Sequence, residues 1–388
     1  MSSSTTIDIL KIKPVSKLFE PITIRGTTFK NRIGVSPMGM CSTRGDGIPH
    51  EFHLAHYGSF AIGGAGLVVC EGTAVEPRGR VTTGCPGLWT DQQIEPWSKI
   101  VTVLRGQGCV AGIQLAHAGR KAGTYVGNSR SLSDSDGGWD TIAPSALRFS
   151  DVMKIPKEAT VDDIDIIVNS LVTAAQRAIS AGFQLIELHY AHGYFVNSFL
   201  SAATNRRQDR YGGSLANRMR LGLEIADKVR RAIPADTVLA VRISFTDYVV
   251  DDNNGWDIQQ SVELAKQLKA LGVDLIDVSS GGVVSGIGYE FLNTSKQQHS
   301  AAAVIQLEAG IPTAAVGKIR DPLMAEKLLR DNCSTFVFIG RAFLNDPHWP
   351  YRASDQLKDR SFNYPKPYDW CIGWTAYMKW RRDLDSNQ

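Results

Sequence analysis

Short apolar strand patterns alternate with longer helical patterns along most of this 388-residue chain. The strand candidates are residues 32–38, 66–72, 109–115, 183–189, 238–243, 275–279, 313–316 and 336–339. Helical patterns cover residues 52–62, 91–106, 161–181, 214–233, 258–271, 300–308 and 321–330, and several begin at a Ser or Asp cap. Repeated βα units form parallel sheets because each helix returns the chain to the same sheet edge. The predicted fold class is therefore α/β, a closed (β/α)8 TIM barrel.

Three segments lie outside this repeat. Residues 18–30, with Gly26 at a turn, predict an N-terminal hairpin that closes the bottom of the barrel. Residues 118–160, rich in Gly, Ser and Asp, predict a long irregular loop after strand 3. We therefore divide the chain into a flexible N-terminal extension (1–17), a barrel domain (18–352) and a C-terminal tail (353–388). The tail aromatics predict docking on their own barrel or on a neighbouring subunit of a homo-oligomer: Trp370, Trp374, Tyr377 and Trp380.

Charge and cysteine usage exclude several classes of protein. The chain carries 42 basic and 39 acidic residues in mixed order, so a nucleic-acid or anionic membrane partner is not expected. No apolar run reaches the roughly 18 residues that a membrane span needs. The six cysteines form no CxxC pair, which argues against a metal or iron–sulfur site. Without a signal-like segment, the expected location is cytoplasmic, with reduced thiols.

The run His189-Tyr190-Ala191-His192-Gly193-Tyr194 follows a buried strand candidate directly. Loops at the carboxyl ends of barrel strands carry the chemistry of such folds. Two imidazoles three residues apart can donate to one ligand oxygen, and Tyr194 can supply a proton. The alternative is structural: a histidine satisfied by backbone, a solvent-facing histidine and a packing tyrosine.

The loops after strands 7 and 8 predict a phosphate site. Gly317 and Gly340 would let backbone amides approach an anion, and Arg341 would neutralise it. The alternative is that Gly340 forms a turn and Arg341 is a surface charge at a helix end.

Two more polar residues lie on the strand candidates. Gln114 offers a donor and an acceptor together, as recognition of an imide edge requires. Arg242 would be a costly buried charge unless an anion or an electron-rich ring lies beside it. A flavin pyrimidine meets both demands, with Arg242 at the N1/O2 edge. The competing interpretation pairs Arg242 with a barrel carboxylate such as Glu187.

In order along the chain, these residues resemble the old yellow enzyme family of FMN-dependent ene-reductases, and more narrowly its thermophilic-like, bacterial-type subclass. The resemblance extends from about Leu18 to Trp349. The motifs that carry it are Phe19-Glu20-Pro21, Lys30-Asn31-Arg32-Ile33, Ser36-Pro37-Met38, Gln114-Leu115-Ala116-His117-Ala118-Gly119-Arg120, the His189–Tyr194 run, residues 205–214 and Ile339-Gly340-Arg341.

The resemblance implies an enzyme with bound FMN that works in two half-reactions. NADPH or NADH reduces the flavin, and hydride then passes to the β-carbon of an enone, enal, maleimide or nitroalkene. By the family's pattern, His189 and His192 hold the electron-withdrawing oxygen and Tyr194 protonates the α-carbon. The cofactor-binding residues it implies are Pro37, Met38 and Gly39 near the ring, Gly72, Gln114 and Arg242 around it, and Gly317, Gly340 and Arg341 at the phosphate.

The chain departs from the family pattern at three places. Gly39 stands where the subclass usually has a cysteine close to the flavin. Cys41 stands where the subclass usually has a pocket tyrosine, and we assign it to the substrate pocket, although a packing role is the more ordinary one for cysteine. Residues 368–374 contain no counterpart of the family's tail arginine.

Other functions remain open from the sequence. A phosphate-handling lyase or isomerase would use the same loops after strands 7 and 8, and a flavin-binding barrel with little turnover would tolerate Gly39. His50, His53 and His56 resemble a metal cluster but enter a helix without the HExxH order, so capping and packing are predicted for them.

Overall fold

The computed structural model describes residues 14–249, 255–286 and 295–372. Most of the predicted N-terminal extension and residues 373–388 of the predicted tail lie outside these ranges. The strands within them are β1 (Ile22–Ile24), β2 (Thr27–Phe29), β3 (Ile33–Val35), β4 (Leu67–Ala74), β5 (Val110–Ala116), β6 (Ile142–Ala143), β7 (Lys157–Glu158), β8 (Leu185–Tyr190), β9 (Val238–Ser244), β10 (Leu275–Ser279), β11 (Thr313–Val316) and β12 (Phe336–Ile339).

A closed barrel of eight parallel strands forms the centre of the protein. Its order is β3-β4-β5-β8-β9-β10-β11-β12, and β12 pairs with β3 to close it. Every predicted barrel strand overlaps one of these, so the predicted (β/α)8 fold is confirmed. The first candidate, residues 32–38, was too long, because only Ile33–Val35 belongs to the strand. Pro37 has no amide hydrogen to contribute to a ladder, and the chain leaves the sheet before it.

Helices surround the barrel, and the ends of several of them match the sequence signals. Those described are α1 (Glu51–Ile62), α2 (Ile94–Gly106), α3 (Val161–Ala181), α4 (Phe195–Leu200), α5 (Leu215–Ala232), α6 (Ile258–Ala270), α7 (Ser295–Ala309), α8 (Pro322–Arg330), α9 (Arg341–Asn345), α10 (Trp349–Gln356) and α11 (Lys366–Ile372). In α3, Thr160 and Asp163 form a capping box, and Gly182 ends the helix at φ 93°. Helix α7 begins five residues before its predicted start, because its first turn is polar and shows no apolar period.

The predicted hairpin closes the amino end of the barrel. Strands β1 and β2 pair antiparallel around a turn at Arg25 and Gly26. Phe29 is fully buried, and its ring lies 5.0 Å from that of Phe336 on the last barrel strand. Ile22 and Ile24 pack against the same apolar cluster. The barrel is therefore filled at this end, and the carboxyl ends of the strands are left for a site.

The predicted irregular loop after β5 covers part of that other end. It is irregular over most of its length, but it contains a two-stranded parallel sheet of β6 and β7 that the sequence did not predict. Strands of two residues are too short to show a period. None of the described helices has the length and apolar character needed to cross a lipid bilayer.

Candidate active site

A cavity of about 390 Å³ opens at the carboxyl ends of the barrel strands. Most of the predicted site residues line it, although they come from five different strands or their following loops. They are Pro37, Gly39 and Cys41 after β3, Gly72 on β4, Gln114 on β5, His189, His192 and Tyr194 at the end of β8, and Arg242 on β9. Pockets that hold small ligands usually measure about 300–1,000 Å³. The cavity is large enough for part of a cofactor or for a small substrate.

A second, smaller cavity of about 100 Å³ lies between the ends of β11 and β12. Gly317, Gly340 and Arg341 line it, as the phosphate prediction requires. Gly317 has φ 115°, a backbone conformation that favours glycine. A Cβ on Gly340 would lie 3.2 Å from Met38 Sδ. Met38 thus lies beside the smaller cavity, while its neighbours Pro37 and Gly39 line the larger one.

The two histidines of the β8 motif are held in different ways. His189 is buried, and its Nδ1 accepts from the Ala191 amide at 3.3 Å, which leaves the proton on Nε2. His192 Nε2 lies 2.7 Å from Ser279 Oγ. Burial, followed by the charge of Arg242, lowers the pKa of both imidazoles well below their usual value. Both rings are therefore neutral near pH 7, and each can donate one hydrogen bond.

Tyr194 keeps its proton in this environment. Its ring centroid lies 5.0 Å from that of His189. Burial, and then the nearby Cys85 and Cys41, raise the pKa of the phenol to about 12. Lys121 Nζ lies 5.2 Å from the centre of the Tyr194 ring and donates to the His192 carbonyl at 2.9 Å. The phenol is thus held protonated beside the imidazoles over the whole neutral pH range.

A buried charge network lies beside the histidines, on β8 and the adjacent strands. Gln114 Nε2 donates to Glu187 Oε1 at 2.8 Å. Arg242 pairs with a carboxylate, but the partner is Asp277, with Nε and Oδ2 3.1 Å apart, and not Glu187 as the alternative interpretation suggested. Asp277 lies directly opposite Arg242 on the adjacent strand β10. The pairing therefore follows from barrel register, which the sequence alone does not fix.

The residues of this network fit a flavin. Among the described residues, Glu187 Oε2 is buried without a hydrogen-bond partner, and such a group calls for a polar neighbour. Gly72 leaves the edge of Gln114 open, because a Cβ there would lie 3.3 Å from Gln114 Oε1. A donor–acceptor amide, a guanidinium and an open glycine edge are what a pyrimidine ring with developing negative charge needs.

Glu187 makes the stability of the folded protein depend on pH. Burial, and then the charge of Asp277, raises the pKa of Glu187 to about 8. The folded chain holds this proton far more tightly than the unfolded chain, in which a glutamate titrates near pH 4.3. The contribution of Glu187 to stability is therefore fully present below about pH 4.3 and is lost as the pH rises to about 8.

We expect Glu187→Gln to remove much of this decline. The neutral amide keeps the shape of the side chain but never has to ionise. Melting temperatures of the purified protein across the pH range measure the effect. Glu263→Gln on α6, which removes a carboxylate that bonds only Gln267 among the side chains described, should keep the wild-type profile. A Glu187→Gln profile identical to wild type would contradict the assignment.

Ser279 was not among the predicted site residues, although it ends a strand candidate. Since it bonds His192 Nε2, it selects the nitrogen that remains for a ligand. We expect Ser279→Ala to weaken binding of an oxygen-bearing ligand in the cavity about tenfold, the equivalent of one hydrogen bond of about 1.4 kcal/mol. Isothermal titration calorimetry measures this affinity. The control is Ser280→Ala, since Ser280 bonds Gln298 instead; equal weakening in both variants would count against a role through His192.

Several further residues of the cavity were missed by sequence reasoning. Among them, Arg80, Val81 and Cys85 come from the loop after β4, which continues beyond the strand end. This loop has no periodic pattern, and it reaches the cavity only because it pairs with neighbouring loops, for example through Thr43 N and Gly84 O at 2.9 Å. No local signal in the sequence could have found them.

The histidines after the first barrel strand have the predicted capping role. His50 is the N-cap of α1, where its Nδ1 accepts from the Phe52 amide, and His53 Nδ1 accepts from the His50 amide. Within the described ranges, no group of three or more His, Cys, Asp or Glu side chains is placed to hold a metal ion.

A parallel barrel with a ligand-sized cavity and a smaller glycine-lined cavity at its carboxyl face is typical of barrel enzymes that bind a cofactor. Comparison with known proteins makes this specific. Residues 17–360 match the NADH:flavin oxidoreductase / NADH oxidase family. The chain is 43% identical over 342 residues to an NADPH dehydrogenase of Geobacillus sp. (strain WCH70), covering 88% of this chain and 94% of that protein. It is 42% identical to the NADPH dehydrogenase of Bacillus subtilis (strain 168), covering 92% and 99%.

Solved structures agree with this assignment. Morphinone reductase in complex with tetrahydroNAD superimposes with a TM-score of 0.73 at 27% identity, covering 90% of this chain and 93% of that chain. The old yellow enzyme homologue from Zymomonas mobilis gives 0.73 at 25% identity, covering 88% and 93%. The chain belongs to the NADH:flavin oxidoreductase / NADH oxidase family, of old yellow enzyme type. It is therefore an FMN-dependent oxidoreductase that takes electrons from NAD(P)H, which confirms the resemblance described above.

Proposed function

We propose that this enzyme reduces activated alkenes, namely enones, enals, maleimides or nitroalkenes, at the expense of NADPH or NADH. The observation that carries the proposal is the convergence of His189, His192 and Tyr194 on one cavity with Gln114 and Arg242. When bound, FMN accepts hydride from the nicotinamide and delivers it to the β-carbon of the alkene. The remaining tasks fall to the side chains of the chain.

The imidazoles polarise the alkene through its carbonyl or nitro oxygen. Both are neutral donors, and their ring centroids lie 5.2 Å apart, so that one oxygen can accept from both. Negative charge grows on that oxygen as hydride reaches the β-carbon. Donors fixed at a developing oxyanion contribute a few kcal/mol each to lowering the barrier.

Tyr194 supplies the proton that the α-carbon needs. Its pKa of about 12 keeps the proton on the phenol until a strong base, such as the enolate α-carbon, is present. General acid catalysis of this kind contributes about 10²–10⁴ in rate. The phenol therefore completes the reduction without leaving a charged product in the cavity.

The other predicted residues would hold the cofactor. Gln114, Gly72 and Arg242 are proposed at the ring, with Pro37, Met38 and Gly39 against it. Gly317, Gly340 and Arg341 are proposed at the phosphate. Arg341 is exposed and begins the short helix α9, where its charge can neutralise an anion.

Four expectations from the sequence remain predictions. They are the barrel domain of 18–352, the flanking segments, the cytoplasmic location and a homo-oligomeric state. The six cysteines are free thiols, as a reducing compartment favours. Membership of an oxidoreductase family does not support the alternative of a lyase or isomerase.

Sequential anaerobic mixing tests the function. We expect the purified enzyme to be yellow, to bleach with NADPH and to regain its colour when 2-cyclohexenone or N-ethylmaleimide is added. Bleaching without recovery by any enone, maleimide or nitroalkene would favour a flavin-binding barrel with little turnover. A colourless protein that takes up no FMN would contradict the proposal altogether.

A further inference from the structure

Two cysteines meet at the edge of the larger cavity. Cys41 follows β3 and Cys85 lies in the loop after β4, and both line the cavity together with Tyr194. Backbone contacts hold the two loops side by side, since the Thr43 amide donates to Gly84 O at 2.9 Å and Thr43 Oγ1 donates to Cys85 O at 3.3 Å. Cys41 is partly buried, whereas only 5% of Cys85 is exposed. The accessible sulfur of the pair is therefore that of Cys41.

The buried thiol of Cys85 changes the pKa of the accessible thiol of Cys41. A side-chain hydrogen bond from Cys85, aided by Thr82, lowers the pKa of Cys41 to about 6. The same bond, together with burial, raises the pKa of Cys85 well above its usual value. Cys85 is held for this role by the Thr82 amide, which donates to its Sγ at 3.4 Å. The pair thus places a thiolate on Cys41 and a proton on Cys85.

Other charged or titratable groups also face the pair. Glu71 Oε2 accepts from the Cys41 amide at 3.4 Å, and burial raises the pKa of Glu71 to about 7. Tyr194 stays protonated, as described above, and burial lowers the pKa of the Arg80 guanidinium. Cys41 is the strongest nucleophile among them, because thiolates attack soft carbon electrophiles more readily than carboxylates or phenols.

We propose that Cys41 is a covalent capture site for the activated alkenes that enter this cavity. The inference rests on the proposed function only in that the cavity admits such molecules. The Cys41 sulfur forms a bond to the β-carbon, the alkene π bond breaks, and the α-carbon takes a proton from solvent or from Tyr194. The product is a thioether, no electrons are exchanged with FMN, and no further reactant is needed. Reduction and capture then compete for the same β-carbon.

The remaining cysteines are poorer candidates for this reaction. Cys70 and Cys109 are buried in the core, and burial raises the pKa of both. Burial also raises the pKa of Cys333. Cys371 is exposed but bonds the Tyr368 carbonyl at 3.2 Å, on the last described helix rather than in the cavity. Cys371 therefore serves as the internal reference for an accessible thiol outside the site.

Simple arithmetic gives the expected selectivity. At pH 6 about half of a thiol of pKa 6 is thiolate, against about 0.3% of an ordinary thiol of pKa near 8.5. The intrinsic reactivity of a thiolate also falls as the pKa of its thiol falls, by about 0.4–0.5 logarithmic units per pKa unit. This reduces the expected rate advantage of Cys41 over an ordinary thiol to about tenfold. Binding of the electrophile in the cavity adds to this factor.

The experiment treats the oxidised holoenzyme with N-ethylmaleimide at pH 6, without NADPH, and follows adducts by peptide mass spectrometry. We expect Cys41 to be labelled about tenfold faster than Cys371. N-ethylsuccinimide, which has the same shape but no alkene, should protect Cys41 and leave Cys371 unprotected. Cys85→Ala should slow labelling of Cys41 about tenfold, and Cys85→Ser, which keeps a hydrogen-bond donor, should retain most of the rate.

Labelling of Cys371 before Cys41, or labelling of Cys41 that N-ethylsuccinimide does not slow, would overturn the proposal. The reductase function is read separately, from NADPH-dependent loss of the maleimide. Reduction without selective labelling would refute capture alone. Selective, protectable labelling in an enzyme that reduces no alkene would support capture and refute the reductase function.

Discussion

Tyr194→Phe is expected to slow reoxidation of the reduced enzyme by 2-cyclohexenone about 10²–10⁴-fold, the usual contribution of a positioned general acid. The substitution removes one oxygen and keeps the ring that packs against His189. Reduction of the enzyme by NADPH needs no proton from this phenol, so that step should change by less than about twofold. Stopped-flow spectroscopy measures the two half-reactions separately.

Tyr190→Phe is the matched control for this prediction. Tyr190 lies four residues earlier at the end of the same strand, but its hydroxyl donates to Gly222 O at 2.9 Å and it does not line the cavity. Loss of this hydrogen bond should lower the free energy of unfolding by about 1 kcal/mol. Both half-reactions should stay nearly unchanged. Equal slowing of the two half-reactions in Tyr194→Phe would refute its assignment as proton donor.

Arg242→Met is expected to produce the largest loss of stability. The substitution leaves Asp277 buried without the cation that balances it. Removal of one partner from a buried ion pair typically costs about 3–5 kcal/mol. The protein should also purify without its yellow colour, because the proposed contact with the pyrimidine is lost. Chemical denaturation and the flavin absorbance spectrum measure the two effects.

A second substitution separates these two roles of Arg242. In Arg242→Met with Asp277→Asn, the uncompensated carboxylate is gone, so much of the stability should return, while FMN should remain absent. Arg242→Lys keeps the charge but lacks the planar guanidinium group. This variant should fold normally but bind FMN only weakly. Full FMN occupancy in the double variant would show that Arg242 serves only to balance Asp277.

The eight strands and their order could be predicted because each βα unit has its own local signal. The hydrophobic period, the helix caps at Thr160 and Ser214, and the glycine at position 182 act within a few residues of one another. Residues at the ends of such strands must meet once the barrel closes. This is why His189, Tyr194, Gln114 and Arg242 could be assigned to one cavity before any coordinates were known.

The sequence could not predict partners that depend on barrel register or on irregular loops. The alternative interpretation paired Arg242 with a barrel carboxylate such as Glu187, but the register of the strands places Asp277 beside it. Ser279 was visible as a strand end, yet its bond to His192 needed the distance between two loops. Cys85 lies 44 residues from Cys41 in a segment without periodicity.

The sequence by itself thus determined the barrel, the face that carries the site and the chemical groups gathered there, because these depend on patterns within single βα units. Tertiary structure alone decided which of those groups touch, which are protonated and which remain open to a ligand. Contact, burial and pKa all depend on neighbours from distant parts of the chain, and these neighbours are set only when the barrel closes.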